Sequence, residues 1–572
     1  MSALTAPAEV DVAVLGGGVA GLTLALQLHK QRPATRIAVL ERQDHPVPEA
    51  THKVGESTVE IAGYYLRHVL GLQEHLRTEQ LDKFGLRVFF SHEGNDDITR
   101  RVELGHSVRP SGAVGTYQLD RGRLENALGR MLVADGVHFL PGVKVEDLDL
   151  AAESDHHRVT VRTADGATGE IRARWVVDAS GRSSLLKRKL GLVKKVGHRA
   201  NAVWFRIGHP IDIDEWSDDP DWHGRIVDGR RELSTNHLMG PGYWVWLIRL
   251  ASGSISIGIV TDSDVHSFEE MNRFDRAMQW LARNEPQCAR IIEEHRDRLL
   301  DFRIMKDYAY SSEQVFSSDR WCLAGEAGIF LDPFYSPGLD LIAISNGLIT
   351  DLITRALDGE DVEELAAIHN TVFFLLIDGW LSIYEKQYPL MGNARVMLCK
   401  VIWDTAVYWA VPGLLYFHDK WRHLADLPDV LANLARFSGT SKEVQRFFRE
   451  WGAVDNEPRE QAPFVRFYDF EFMPRLHVGM TADLSDSELQ KQFEENVRFI
   501  DQLSGQMVAT LLAEFEAEPD NLAKQQQAQK WRADDVLMSL VRVYEAEQQT
   551  NPISDDWITL RPTADISTGE RR

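Results

Sequence analysis

Three glycines and one carboxylate near the start of the chain have the types and spacing for dinucleotide chemistry. Gly16, Gly18 and Gly21 fit G-x-G-x-x-G within "DVAVLGGGVAGLTLALQLHK". The first permits a tight turn, the second lets a pyrophosphate approach the backbone, and the third lets helix and strand pack closely. Glu41 ends "RIAVLER", twenty residues after Gly21, where a carboxylate takes ribose hydroxyls. A second anion site is suggested by "DPFYSPGLDLIAISNGLI". There Ser336 reads as a helix N-cap, Pro337 as the first helical residue, and Gly338 as a position that leaves the amides unobstructed. A third feature is "GYWVWLIRL", with Trp244 and Trp246 one residue apart. In an extended strand they share a face with Ile248, and Tyr243, Val245, Leu247 and Arg249 take the other. The indole face is either core packing or a wall that decides what approaches a cofactor.

The elements that must position these residues follow from hydrophobic pattern. "DVAVLGGGVAGLTLALQLHK" reads as strand, glycine turn and helix, and "RIAVLER" as the next strand of a βαβ unit. "RWVVDASGRSSLLKRKLGL" is a strand that ends at Asp178. Ser57 or Thr58 in "KVGESTVEIAGYYL" is placed to cap a helix, with Glu60 near the capping-box position. From about residue 355 the character changes. "DGEDVEEL" is an acidic linker or exposed turn, and the segments after it carry apolar residues at helical spacing. Trp403, Tyr408, Trp409, Tyr416, Phe417 and Trp421 either pack this region's core or line a passage. The ending "ISTGERR" reads as disordered.

Composition narrows the function classes. A net charge of −23 argues against general nucleic-acid or anionic-membrane binding, which needs positive surface. Cys288, Cys322 and Cys399 are widely spaced and form no metal pattern, so no metal is expected and a reducing cytoplasm is. No apolar run reaches spanning length; "TVFFLLIDGWLSIY" comes nearest and is interrupted by Asp378, so no membrane span is expected.

Three segments resemble the FAD-dependent monooxygenase superfamily. In "TYQLDRGRLENAL", Arg121 matches the arginine that contacts the flavin nucleotide. Asp178-Ala179-Ser180-Gly181 is similar to the "D-A-x-G" segment. "WCLAGEAGIFLDPFYSPGLD" resembles "G-D-A-A…P…G", which implies that Gly325, Glu326, Pro333 and Gly338 wrap the flavin; Glu326 stands where the superfamily keeps aspartate. The implied fold is α/β: a Rossmann-like FAD-binding domain with an interleaved β-sheet substrate domain, plus a mostly α-helical C-terminal region. Residues 1–350 are the expected FAD module, with its substrate-side sheet mainly in 85–115 and 195–310. Residues 355–572 are expected to cover the substrate site.

Within that superfamily the chain resembles the flavin-dependent halogenases, nearer the phenol-acting type. "KVGES" looks like the family's "G-E-[SA]-T" segment, which implies that Gly55, Glu56 and Ser57 lie beside the flavin. Lys83, in "LDKFGLRVFF", falls where the family keeps its catalytic lysine. Burial suits a lysine to this role, because it lowers the pKa and frees a nucleophilic lone pair. Trp244, Trp246 and Ile248 match "W-x-W-x-I-P", with Arg249 in place of the proline. The implied role of these catalytic-site indoles is to keep substrate from the activated flavin. Halide is expected against the main chain of Ser336, Pro337, Gly338 and Leu339. The glutamate of tryptophan halogenases is absent after this turn, where Asp340 stands nearby in another register, so a phenolic or similarly electron-rich substrate is favoured over free tryptophan. The resemblance implies FADH2- and O2-dependent chlorination or bromination of an aromatic substrate, free or carrier-bound. It also implies hypohalous acid delivered to Lys83 and a separate flavin reductase, with which the single visible dinucleotide fingerprint is compatible. Two alternatives stand beside it: an aromatic hydroxylase, and a flavin-bound partner protein without turnover.

Overall fold

The protein was analysed as a computed structural model that describes residues 7–49, 53–109, 112, 114–150, 154–455 and 463–560. The terminal "ISTGERR" lies outside the described residues.

The first sheet is built on strand Glu9–Leu15, which pairs in parallel with Ile37–Glu41 on one side and Thr168–Asp178 on the other. His138–Pro141 extends one edge, and Trp321–Leu323 and Phe316–Ser317 the other. Val10, Val12, Ala13 and Val14 are all fully buried, as a parallel strand covered on both faces requires. Helix Val19–Gln31 follows the glycine turn directly. A Cβ on Gly21 would fall onto the Gly16 carbonyl oxygen, so only glycine lets this helix lie so close to its strand. Gly16 sits at φ +124°, backbone that L side chains rarely adopt.

The second sheet runs Leu299–Met305, Ala200–Ile207, Ile255–Asp262, Tyr243–Arg249, Thr235–Gly240, Leu86–Phe90, Glu103–Gly105 and Phe464–Arg466. Its last strand comes from the C-terminal third and pairs in parallel with Glu103–Gly105, so that third is not helical throughout. The period-2 alternation of Tyr243–Arg249 divides two cores. Tyr243, Val245 and Leu247 join a separate cluster with Phe205, Ile257 and Trp280. Trp244, Trp246 and Ile248 join the main core, on the face toward the first sheet.

Helices Gly338–Leu357, Glu363–Tyr384, Ala394–Tyr408, Pro428–Val454 and Asp486–Glu516 carry most of the C-terminal packing. Ser485 opens the last of these with a capping box to Glu488. Gly505 lets it cross Asp535–Glu547 at backbone distance, since a Cβ there would strike the Leu540 carbonyl. Helix Glu363–Tyr384 is long and apolar enough to cross a membrane by length and composition alone, and 33% of its apolar window is buried inside the fold. Asp378, which interrupts the apolar run, pairs with Lys442 of Pro428–Val454 at 3.4 Å.

Candidate active site

A cleft of about 660 Å3 runs from the glycine turn to the start of helix Gly338–Leu357. Its wall includes Gly16, Gly18, Glu41, Gly55, Glu56, Ser57, Arg121, Gly325, Glu326, Pro333, Ser336, Pro337, Gly338 and Leu339, with Trp244 and Trp246. The sequence motifs therefore converge on one space, although they lie far apart in the chain.

Four features of this cleft fit FAD. A Cβ added to Gly18 would meet nothing nearer than the Lys53 ammonium at 3.6 Å, which leaves the turn open to a diphosphate with a cation beside it. Lys53 itself is held 2.5 Å from Glu125, which also accepts from Arg121 at 2.9 Å. Arg121 lines the cleft, and its buried Nε has no hydrogen-bond partner among the described residues. Glu41 accepts from the Gly17 amide at 2.7 Å and the Gln43 amide at 2.8 Å, fixing its carboxylate at the cleft end of its strand. Glu326 is half-buried, with its carboxyl pushed up by burial against the pull of Arg182, Arg121 and Lys53.

Two sequence assignments sit elsewhere. Asp178 does not line the cleft. Its two oxygens accept from the Ser180 amide at 2.9 Å and the Leu186 amide at 2.8 Å, so it shapes the turn beneath the cofactor space. Gly21 also lies outside the lining and acts through packing. Ser336 is not the N-cap of its helix: the cap is Pro337, and no side chain caps the amides. Tyr335 and Ser336 instead stand at φ +69° and +60°, two successive left-handed residues without glycine's freedom. That twist brings the turn around so that Ser336 to Leu339 face the cleft beneath the exposed end of the helix.

The tryptophan wall is anchored from behind. The Trp244 indole N–H donates to the Tyr388 hydroxyl at 2.9 Å, and Tyr388 donates to Asp332 at 2.6 Å. His198 and the Tyr308 hydroxyl also reach the same Asp332 oxygen, each at 2.6 Å. Burial would raise Asp332, but His198 and the two tyrosines outweigh it and hold the carboxyl below its ordinary range. Trp246 donates to Ser256 at 3.2 Å and lies over Gly258, where any Cβ would collide with the indole. Arg249, which replaces the motif proline, points to Glu232 and to the Leu250 and Ser254 carbonyls and does not line the cleft. The face of the strand that carries the indoles is thus left intact.

Lys83 lines a second cavity of about 130 Å3 that shares Pro337 with the first, while Trp244 and Trp246 line only the first. Its Nζ is buried and donates to Ser57 Oγ at 2.9 Å and to the Thr58 carbonyl at 2.7 Å. Burial lowers its pKa from 10.5 to about 7, against the opposing pull of Glu60 and Asp340. An ammonium has three donors and a neutral amine two donors and a lone pair. With Ser57 and Thr58 engaged, one tetrahedral position remains: an N–H when protonated, a lone pair when not. Ser57 lines the first cleft and also contacts Thr235 Oγ1 at 2.7 Å, so its hydroxyl links that cleft to the Lys83 amine of the second cavity.

The rest of the second cavity comes largely from the C-terminal third. Tyr408, Trp409 and Trp421 line it, while Trp403 donates to Ser504 and Tyr416 and Phe417 pack around Tyr64. The aromatic cluster thus serves both expected uses. Asp340 does not act as an open carboxylate here. It accepts from the Ala62 amide at 2.8 Å and the Tyr408 hydroxyl at 2.7 Å, and burial raises its pKa to about 8. Lys53 and Asp332 on the cleft wall, and Tyr388 and His198 behind it, were not assigned from sequence; no local spacing links them, and only the tertiary fold brings them together.

Among known proteins, the family model for lycopene cyclase protein matches residues 11–202. Flavin-dependent halogenase chlA of Dictyostelium discoideum is 26% identical over 438 residues, covering 70% of this chain and 70% of that one. A 1H-pyrrole-2-carbonyl-[peptidyl-carrier protein] chlorinase of Pseudomonas fluorescens is 25% identical over 376 residues, covering 63% of this chain and 79% of its own length. The halogenase PltM, solved in complex with phloroglucinol and FAD, superposes with a TM-score of 0.57 at 18% identity, over 94% of this chain and 96% of that chain, a likeness of fold. The chain is similar to flavin-dependent halogenases over about two thirds of its length, and the lining of its cleft fits FAD as the cofactor.

Proposed function

We propose that the protein halogenates an electron-rich aromatic substrate, phenolic or similar, by holding hypohalous acid at Lys83. The observation that carries this reading is the buried Lys83 amine, tied to Ser57 and Thr58 with one position left to its cavity. Bound as FADH2, the cofactor supplies the activation of O2 that oxidises halide. Halide rests against the main-chain groups of Ser336 to Leu339, where a helix start favours an anion. Trp244 and Trp246 close the flavin side to the organic substrate. Lys83 then binds the hypohalous acid by hydrogen bond when protonated or as a haloamine when neutral. With the acid intact, the substrate carbon gains halogen as the oxygen–halogen bond breaks, the oxygen leaves as water after taking a proton from Lys83, and the proton lost from the halogenated ring carbon restores the Lys83 ammonium. The helices after residue 355 cover the aromatic site; Tyr408, Trp409 and Phe437 on the cavity wall support this reading. A separate reductase supplies FADH2; the cleft carries the single dinucleotide fingerprint seen in the sequence.

The test is to supply FADH2, O2 and an activated phenol with and without bromide, with a scavenger of free hypohalous acid. Bromide-dependent, scavenger-resistant bromination is expected. Hydroxylated product without halide would replace this reading by a hydroxylase, and flavin reoxidation without any aromatic product would replace it by a non-catalytic flavin protein.

A further inference from the structure

Three carboxylates line the Lys83 cavity among the described residues: Glu60, Asp340 and Asp404. Two are committed. Asp340 holds the Ala62 amide and the Tyr408 hydroxyl. Asp404 accepts from Tyr335 at 2.9 Å, Lys400 at 2.8 Å and Gln445 at 2.7 Å. Glu60, the first residue of helix Glu60–Tyr64, differs: 13% of its side chain stays accessible, and it meets a histidine from a distant element.

That histidine is His477 of helix Phe472–Gly479, whose Nε2 lies 3.3 Å from Glu60 Oε1. Its Nδ1 lies 2.6 Å from the Tyr468 hydroxyl, and its ring stacks on Trp409 with centroids 4.2 Å apart and planes 3° from parallel. The Tyr468 contact and the stack on Trp409 hold the ring with Nε2 toward Glu60, at ion-pair distance but outside hydrogen-bond geometry. The ring therefore cannot turn away without losing both the stack and the tyrosine. Asp340 and Tyr408 hold the Ala62 and Ile61 amides, so the helix start that carries Glu60 is fixed as well.

We propose that Glu60 is a second catalytic residue of the halogenation, the base that takes the proton of the substrate's phenolic hydroxyl, with His477 and Tyr468 as positioning residues. The inference rests on the phenol reading above. As the ring carbon bonds halogen, the phenolic proton passes to Glu60. The oxygen–halogen bond of hypohalous acid breaks with its electron pair on oxygen, which takes a proton from Lys83 and leaves as water. The halogenated ring, now a dienone, loses its C–H proton to Lys83, and Glu60 returns its proton to the oxygen. The sum is phenol plus hypohalous acid giving halophenol plus water, with Glu60 and Lys83 restored.

The charge state of Glu60 agrees with the geometry. Burial would raise its carboxyl, but His477, its own helix amide and Lys83 outweigh that and leave it below its ordinary value, a carboxylate ready to accept. The other titratable groups on the cavity wall are Lys83, Tyr335, Asp340, Asp404, Tyr408 and His106, with His477 and Tyr468 packed behind Glu60; burial lowers His106 to about 3 and keeps it neutral.

The experiment compares two probes, phenol and a tetrafluorophenol with a free para carbon that is already ionised at neutral pH. Wild-type halogenation of phenol comes first; its absence would count against the function proposed above rather than against Glu60. Glu60→Gln is expected to slow phenol halogenation by about 10²- to 10⁴-fold, the span of a lost general base, and to slow the ionised tetrafluorophenol far less. His477→Gln is expected to show the same pattern with a smaller loss. FAD content and halide-dependent flavin oxidation serve as the measures of intact folding. Equal losses on both probes would assign Glu60 a structural role, and unchanged rates on phenol would remove it from the reaction; either result overturns the proposal.

Discussion

The Trp244 indole N–H and the Tyr388 hydroxyl meet at 2.9 Å, which joins the wall of the flavin cleft to the C-terminal third of the chain. Tyr388 passes this bond on to Asp332, two residues before the Phe334 ring that packs 5.4 Å from Trp244. Tyr388→Phe leaves the buried indole N–H without an acceptor and removes one donor from Asp332. An unmade buried hydrogen bond costs about 1 to 3 kcal/mol. Chemical denaturation is therefore expected to show a loss of that size; a variant as stable as wild type would show that the network carries no stability.

Gly258 bears directly on the same wall. A side chain there would collide with the Trp246 indole, which lies flat over the glycine. Gly258→Ala is expected to displace Trp246 into the cleft and weaken FAD binding by roughly tenfold, equivalent to about 1.4 kcal/mol. Fluorescence titration with FAD checks this, and unchanged affinity would mean that the indole relocates without entering the cofactor space.

The proposed halide site uses main chain, and Ser336 gives a way to test that. Its backbone takes φ +60° and no side-chain hydrogen bond caps the helix after it. Ser336→Ala is expected to leave the bromide KM within about twofold of wild type, far less than the hundredfold expected of a lost charge-assisted bond of about 2.7 kcal/mol. A hundredfold rise would assign the halide to the serine hydroxyl.

Lys83 also leaves a signature in stability against pH. Its folded pKa of about 7 lies below its unfolded value of 10.5, so between these limits the folded state holds fewer protons than the unfolded. Stability from this group accordingly rises with pH across that window, by about 1.4 kcal/mol per unit, and is flat below it. Lys83→Met removes the slope. Denaturation midpoints at several pH values are expected to show the variant most favoured relative to wild type near pH 7 and below, with the advantage shrinking toward pH 10. A constant difference across the range would mean that the folded lysine titrates normally.

Much of this site was legible in the sequence because its parts are local patterns. Gly16, Gly18 and Gly21 answer to backbone geometry within one turn, and the two faces of Tyr243–Arg249 follow from strand alternation, with each face in its own core. What escaped was non-local. Nothing near Asp332 in the chain announces His198, Tyr308 and Tyr388, and nothing near Glu60 announces His477. The helix-start reading of Ser336 failed because proline took the cap and the serine was turned left-handed. Asp178, read from the sequence as a cofactor contact, lies outside the cleft lining with both oxygens engaged by backbone amides.

The most direct test of the account is the fate of halide oxidation in Lys83→Ala. With FADH2, O2 and bromide, the variant is expected to reoxidise flavin at the wild-type rate and release hypobromous acid to a trapping dye. No brominated phenol should form in the presence of a scavenger. Scavenger-resistant bromination at the wild-type rate would contradict the central role given to Lys83.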